Sequence, residues 1–308
     1  MLQVLLALIP GAVAMIWIYG DGVFINIVLA MSSAVLLEAA ILAMRRKPVI
    51  HSLKDHSALV SAVLLALSLP PLTPWWVIVI GMLFAIVVAK QLYGGLGFNV
   101  FNPAMAGYAV LMISFPVQMT VWPDPDLPRM ELIDAIHWKF LNQLSVTQSL
   151  DAITRATPLD ALRAAQRMQA EHATLASLTT IQSRYWIIGS LWLIGGCWLV
   201  YQRVAAWQLP TALLASFTLL VGVFWLLDPA QHPSPLFHLL QGNIIMAAFF
   251  ILTDPVTAPM TAKGRIIGAI LVAIIVFIIR NWGGYPDGIA FAILLMNMTV
   301  PLIDRYIK

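Results

Sequence analysis

Apolar residues run through this chain in long, nearly unbroken stretches, unlike the alternation of a half-buried strand or the single stripe of a surface helix. A helix needs ~20 such residues to cross the hydrocarbon core of a bilayer, and tilt or protein contact permits fewer. Ten segments qualify: 2–19, 22–44, 57–72, 74–90, 103–119, 185–201, 208–227, 237–253, 264–280 and 287–303. The third and eighth are short and end in the proline-rich turns LSLPPLTP and LTDPVTAP, which marks them as broken or partly re-entrant helices.

The one long polar interruption, 120–184, divides the chain into a first five-span repeat at 1–119 and a second at 185–308. Five spans per half is an odd number, so related halves lie inverted in the membrane. Two weak echoes support this. KQLYGGLGFNVFNPAMAGYAVLM before the fifth span answers IRNWGGYPDGIAFAILLMNM before the tenth, and a proline-ended short span stands third in each half. The expected fold is therefore an all-α polytopic membrane protein, about ten helices in two inverted repeats with a long connection between them.

Composition agrees: 61% of the 308 residues are hydrophobic and 10% are charged, too few charges to cover a soluble globule. Charge placement sets orientation. With RRKPVIHSLKD in the cytoplasm, one side carries Arg45, Arg46, Lys47, Lys54, Lys90, Arg203, Lys263, Arg265, Arg305 and Lys308, against Arg280 alone in the short loops opposite. The long connection then faces the periplasm of a bacterial cell. The opening MLQVLLALIPGAVA mimics a signal peptide, with Ala12-Val13-Ala14 at the cleavage position. No positive region precedes it and the apolar run resumes in MIWIY, so it reads as the first span. The single cysteine, Cys197, supports neither an internal disulfide nor a metal cluster by itself. His56, His137, His172, His232 and His238 are scattered without a helical i, i+4 pair, so no metal site is expected. No basic patch with interleaved aromatics suggests nucleic acid.

Within the connection, DAITRATPLDALRAAQ stands out for its polarity. Its local pattern is that of a helix start: Thr157 as N-cap, Pro158 at the first helical position, Asp160 in the first turn. An N-cap oxygen also lies where free N–H groups and the positive end of the helix dipole converge.

Asp151-x-x-Thr154-x-Ala156-Thr157 resembles the flavin-attachment motif of the D subunits of Rnf ion-translocating electron-transport complexes and of their relatives, the B subunits of sodium-translocating NADH:quinone reductases. The likeness extends through KQLYGGLGFNVFNPAMAGY, ISFPVQMT, ATPLDALR, FFILTDPVTAP and RNWGGYPDGIAFAILLMNMTVPLID, essentially the whole chain. It implies FMN joined through its phosphate to Thr157 by a flavin transferase. Asp151, Thr154, Arg155 and Ala156 complete the motif, with Arg155 standing where the family has glycine. It further implies a relay subunit of an oxidoreductase in the bacterial inner membrane, which passes electrons between NADH-linked and ferredoxin-linked centres coupled to sodium or proton movement. The chain alone then has no complete active site. Its partners would be an NADH-oxidising flavin and iron–sulfur subunit, a ferredoxin-like iron–sulfur subunit, other membrane subunits, a periplasmic covalent-FMN subunit and membrane lipid. The resemblance also suggests a second, noncovalent flavin such as riboflavin, near Gly94, Gly95, Asn99 and Asn102 and their counterparts Gly283, Gly284 and Asp287.

Other readings stay open for single residues. Glu38 is the carboxylate well inside a span, and at mid-membrane it would cost ~3 kcal/mol. It either pairs with a basic neighbour or the cytoplasmic rim, or marks an ion path together with Asp254. Asp254 and Asp287 equally suit helix-capping turns. Two other functions share the pattern: the quinone-reductase B subunit, and a flavin-free channel or secondary transporter on the same inverted repeat.

Overall fold

The computed structural model describes residues 1–127, 129–143, 150–168, 178, 183–229, 231–285 and 287–307; the side chains of Leu150 and Asp151 lie outside that description. The chain is mostly helical and forms two compact units, Met1–Arg155 and Ala156–Lys308. The long connection is thus divided between them. Among the described residues, five helices are long and apolar enough to cross a membrane: Leu2–Tyr19, Gly22–Met44, Gln208–Leu227, Ala262–Trp282 and Ile289–Tyr306. Shorter apolar helices cover Ser57–Ser68, Trp75–Gln91 and Pro103–Ser114. This is a polytopic all-α membrane protein.

Unit 1 contains α1 (Leu2–Tyr19), α2 (Gly22–Met44), α3 (Val49–Leu53), α4 (Ser57–Ser68), α5 (Trp75–Met82), α6 (Pro103–Ser114), α7 (Pro116–Thr120), α8 (Leu132–Leu141) and α9 (Leu150–Ile153). Strands β1 (Trp122–Pro123) and β2 (Thr154–Arg155) pair antiparallel. Helix α2 packs on α4 and α5, and its Ala30 and Ala34 are fully buried. Helix α5 runs directly into a π-helix, Leu83–Gln91. The expected third span stops at Ser68, because Pro70 and Pro71 lack the N–H groups that would continue it. The expected fifth is cut at Phe115 by Pro116 into α6 and α7.

The carbonyls released by the 69–74 break are taken up from elsewhere in the unit. Asn26 on α2 donates to Pro70 O at 3.0 Å, and Trp138 Nε1 on α8 donates to Leu72 O at 2.7 Å. Lys139 is 2% exposed and donates to Pro71 O at 2.7 Å, Thr73 O at 2.9 Å and Asn26 Oδ1. Three ammonium protons meet three acceptors, as buried polar groups require. Burial nonetheless pushes the Lys139 amine down to about 7.

Unit 2 holds α10 (Pro158–Arg167), α11 (Ser183–Tyr201), α12 (Gln208–Leu227), α13 (Pro235–Leu240), α14 (Ile244–Met246) running into a second π-helix (Ala247–Ile251), α15 (Ala262–Trp282) and α16 (Ile289–Tyr306). Helices α12, α15 and α16 pack side by side. The expected eighth span is broken at its start as well as its end. Gly242 and Asn243 take left-handed φ of 73° and 55°, which separates α13 from α14. Arg280, 7% exposed at the end of α15, donates to His238 O at 2.9 Å, Gln241 O at 3.3 Å and Gly242 O at 3.2 Å, and lies 5.3 Å from the Phe217 ring centroid.

Candidate functional site

The polar motif is paired with the start of the connection. Pairing of β1 with β2 sets Trp122 opposite Arg155 and Pro123 opposite Thr154, and Asp124 N–H donates to Ile153 O at 2.9 Å. This ladder fixes the backbone immediately before Thr157. Arg155 points to Asp124 and Asp126, 3.7 and 3.8 Å away, with its side chain 56% exposed. Ion pairs this long and this wet contribute little. Ala156 is exposed, and Thr154 is half-buried.

Thr157 has the extended backbone of an N-cap, φ −60° and ψ 155°, with Pro158 at the first helical position. Its hydroxyl accepts the Asp160 N–H at 3.2 Å and donates to Asp160 Oδ2 at 2.6 Å. Burial raises the Asp160 carboxyl above its ordinary range, against the lowering effects of the Thr157 hydroxyl and of Arg163. Helix α10 is amphipathic, and its inner face, Leu159, Leu162 and Ala165, forms one buried cluster with Phe237 of α13. Gly242 lies under the same helix. A Cβ there would sit 2.6 Å from Leu159 Cδ1 and 2.5 Å from Arg280 Nη2, at a φ that disfavours any side chain. The attachment candidate is therefore carried on a short helix seated against the break between α13 and α14.

These residues suit a phosphate ester. The Thr157 oxygen is half-buried at a helix N-terminus, where N–H groups and dipole favour negative charge. The neighbouring Asp160 carboxylate opposes an added anion, and burial, which raises its pKa, lessens that opposition.

A second polar centre lies within unit 1. Glu38 on α2 is 2% exposed, and its Oε1 accepts Lys90 Nζ at 2.6 Å and Gln91 Nε2 at 2.7 Å. Lys90 also donates to Ser57 Oγ at 2.7 Å, and Arg45 donates to Gln91 O at 2.8 Å. Glu38 Oε2 is buried without a hydrogen-bond partner. The sequence pattern puts Lys90 at the cytoplasmic end of the fourth span, 74–90; the structure buries it at 2% exposure inside the π-helix. The extra residue per turn of a π-helix brings successive side chains Lys90 and Gln91 to one carboxylate, and such bulges recur at functional sites.

Asp254, Asp287 and Asn102 make local capping contacts. Asp254 accepts Val256 N–H and Thr257 Oγ1–H, both at 3.1 Å. Asp287 accepts Ile289 N–H at 3.3 Å and pairs with Arg280 at 3.4 Å. Asn102 caps α6 through Met105 N–H at 3.1 Å. Gly94 and Gly95 carry left-handed φ of 130° and 106°, which the turn after the π-helix requires. Asn99 donates to Phe101 O at 3.2 Å, while its Oδ1 is buried without a partner. Gly94, Gly95, Asn99 and Asn102 belong to unit 1 and Gly283, Gly284 and Asp287 to unit 2. His172 and the Asp151 side chain lie outside the described residues.

Sequence reading missed the buried roles of Lys139 and Arg280 and, though it expected a basic neighbour for Glu38, did not single out Lys90 as that partner. A lone basic residue in an apolar or amphipathic run was the available signal for each.

Residues 1–308 match the model of the NQR2, RnfD, RnfE family. Among curated proteins, the chain is 45% identical over 325 residues to the D subunit of the ion-translocating oxidoreductase complex of Escherichia coli O139:H28 (strain E24377A / ETEC), covering 100% of this chain and 92% of that protein. The equivalent protein of Escherichia coli (strain SMS-3-5 / SECEC) is 44% identical over 324 residues, with the same coverage.

Proposed function

Since the chain belongs to the NQR2, RnfD, RnfE family, we propose that it is the D subunit of an ion-translocating oxidoreductase complex in a bacterial inner membrane, carrying FMN esterified to Thr157 on its periplasmic side. It works as an electron relay and needs partner subunits for NADH oxidation and for iron–sulfur chemistry. One observation carries this reading: the Thr157 hydroxyl stands at the N-cap of α10, and α10 is buried against Phe237 and Gly242 of the broken eighth span. A tether there holds a flavin beside the membrane-embedded part of unit 2 and prevents its loss to the periplasm.

When bound, the flavin supplies one- and two-electron redox chemistry, and the protein positions it and tunes its surroundings. Thr157 would hold the phosphate at the N-terminus of α10, with Asp160 as the adjacent carboxyl. Glu38 is the candidate ion-path group, with Lys90 as the counter-charge a sodium ion or proton would replace. Peptide mass spectrometry of the protein produced with a flavin transferase tests the attachment directly. A flavin phosphate adduct on the peptide containing Thr157 supports it, and an unmodified peptide alone refutes it.

A further inference from the structure

One end of unit 2 gathers positive charge around a cavity of about 500 Å³. Its walls come from the α11–α12 turn, the chain after the second π-helix and the first turns of α15, and include Arg203, Trp207, Gln208, Met260 and Arg265. Arg203 stands in the left-handed region at φ 59°, held by its N–H to Val200 O at 3.0 Å. Arg265 uses Nε on Pro259 O at 3.1 Å, which leaves its two terminal nitrogens without a partner among the described residues. Gln208 Oε1 is buried and unpartnered.

The charge at this end is unbalanced. Helix α15 opens with Lys263 and Arg265 and has no acidic residue in its first turn. That is the wrong sign for a helix N-terminus, unless an anion sits there. No carboxylate lines the cavity among the described residues, and those next to its lining segments are engaged by other groups: Asp254 by Val256 N–H and Thr257 Oγ1–H, Asp304 by Met260 N–H at 3.0 Å. Neither pairs with Arg203 or Arg265 among the described residues. The rim, by contrast, is apolar and exposed, with Val204, Trp207 and Met260 at 37%, 58% and 80%. Aromatic and long apolar side chains beside arginines are the makeup of a membrane-interface site.

We infer that this cavity holds the headgroup of an anionic phospholipid, its phosphate between Arg203 and Arg265 and its acyl chains leaving over Trp207 and Met260. A soluble phosphate would satisfy the arginines but gives no role to the apolar rim. The inference is independent of flavin attachment at Thr157.

The test is native mass spectrometry of the full chain in detergent, titrated with phosphatidylglycerol, with phosphatidylcholine, and with inorganic phosphate as competitor. Phosphatidylglycerol should bind in preference to phosphatidylcholine. At ~1 kcal/mol per interfacial arginine, Arg203→Gln should weaken it about fivefold and Arg203→Gln with Arg265→Gln about 25-fold. Arg203 is an exposed turn residue, so its single variant should fold even where the double variant does not. Equal binding of the two lipids by the wild-type chain would overturn the inference, as would an Arg203→Gln chain that binds like wild type. Displacement of phosphatidylglycerol by inorganic phosphate would assign the site to a soluble anion and overturn the lipid reading.

Discussion

The Thr157 hydroxyl donates to Asp160 Oδ2 at 2.6 Å while it accepts the Asp160 N–H at 3.2 Å, so one oxygen both caps α10 and is the atom proposed to carry flavin. Esterification of that oxygen would remove the donated hydrogen bond and would bring a phosphate near the carboxylate, leaving the ester and phosphate oxygens to accept in its place.

The unmodified chain already shows part of this coupling. Burial raises the Asp160 pKa, so the folded state holds its proton more tightly than the unfolded chain. Between the ordinary carboxylate value and the raised one, the folded state binds more protons, and stability falls as pH rises through that window. Hydrogen exchange of α10, corrected for intrinsic rates, should show protection declining across that range in wild type. The decline should disappear in Asp160→Asn.

Lys139 gives the opposite sign. Its folded pKa is about 7, whereas a free lysine titrates near ~10.4. Between these values the unfolded chain binds more protons, so the thermal midpoint of the purified protein should climb with pH. Lys139→Met should abolish that slope. It also strands Pro71 O, Thr73 O and Asn26 Oδ1, at a cost of about 3 kcal/mol near neutral pH.

The Glu38–Lys90 pair separates structure from ion conduction. Removing one member leaves a buried charge, so Glu38→Gln or Lys90→Met alone should destabilise by about 3–5 kcal/mol, and the double variant by far less. If Glu38 lies on the ion path, the double variant should assemble into the complex yet fail to move sodium or protons in vesicles. Normal transport by a well-folded double variant would confine the pair to a structural role.

Gly242 connects the α13–α14 break to α10. Gly242→Ala places a methyl against Leu159 and Arg280 in a left-handed backbone, for a cost of about 1–3 kcal/mol. It should free α10 to proteases and lower covalent flavin content, although Thr157 itself is untouched. Unchanged flavin loading together with intact protease resistance would refute that link.

Much of this was legible in the sequence. Long apolar runs set α1, α2 and α12 to the residue, and the Thr157-Pro158-x-Asp160 pattern gave the cap of α10, because these are local properties. What stayed hidden depends on distance in sequence. Nothing near Lys139 says that it returns to carbonyls 66 and 68 residues earlier, and nothing near Lys90 announces a π-helix that turns it toward Glu38. The break at Gly242–Asn243 is written in a glycine and an asparagine that pattern alone could not tell from an ordinary helical pair.

The central claim is tested most directly by flavin fluorescence on a denaturing gel, with wild type, Arg155→Gly and Thr157→Val each produced alongside an active flavin transferase. The account predicts fluorescence that survives denaturation in wild type and vanishes in Thr157→Val. Arg155→Gly should match wild type, since Arg155 faces Asp124 and Asp126. A dark wild-type band, or a Thr157→Val band that still fluoresces, would contradict it.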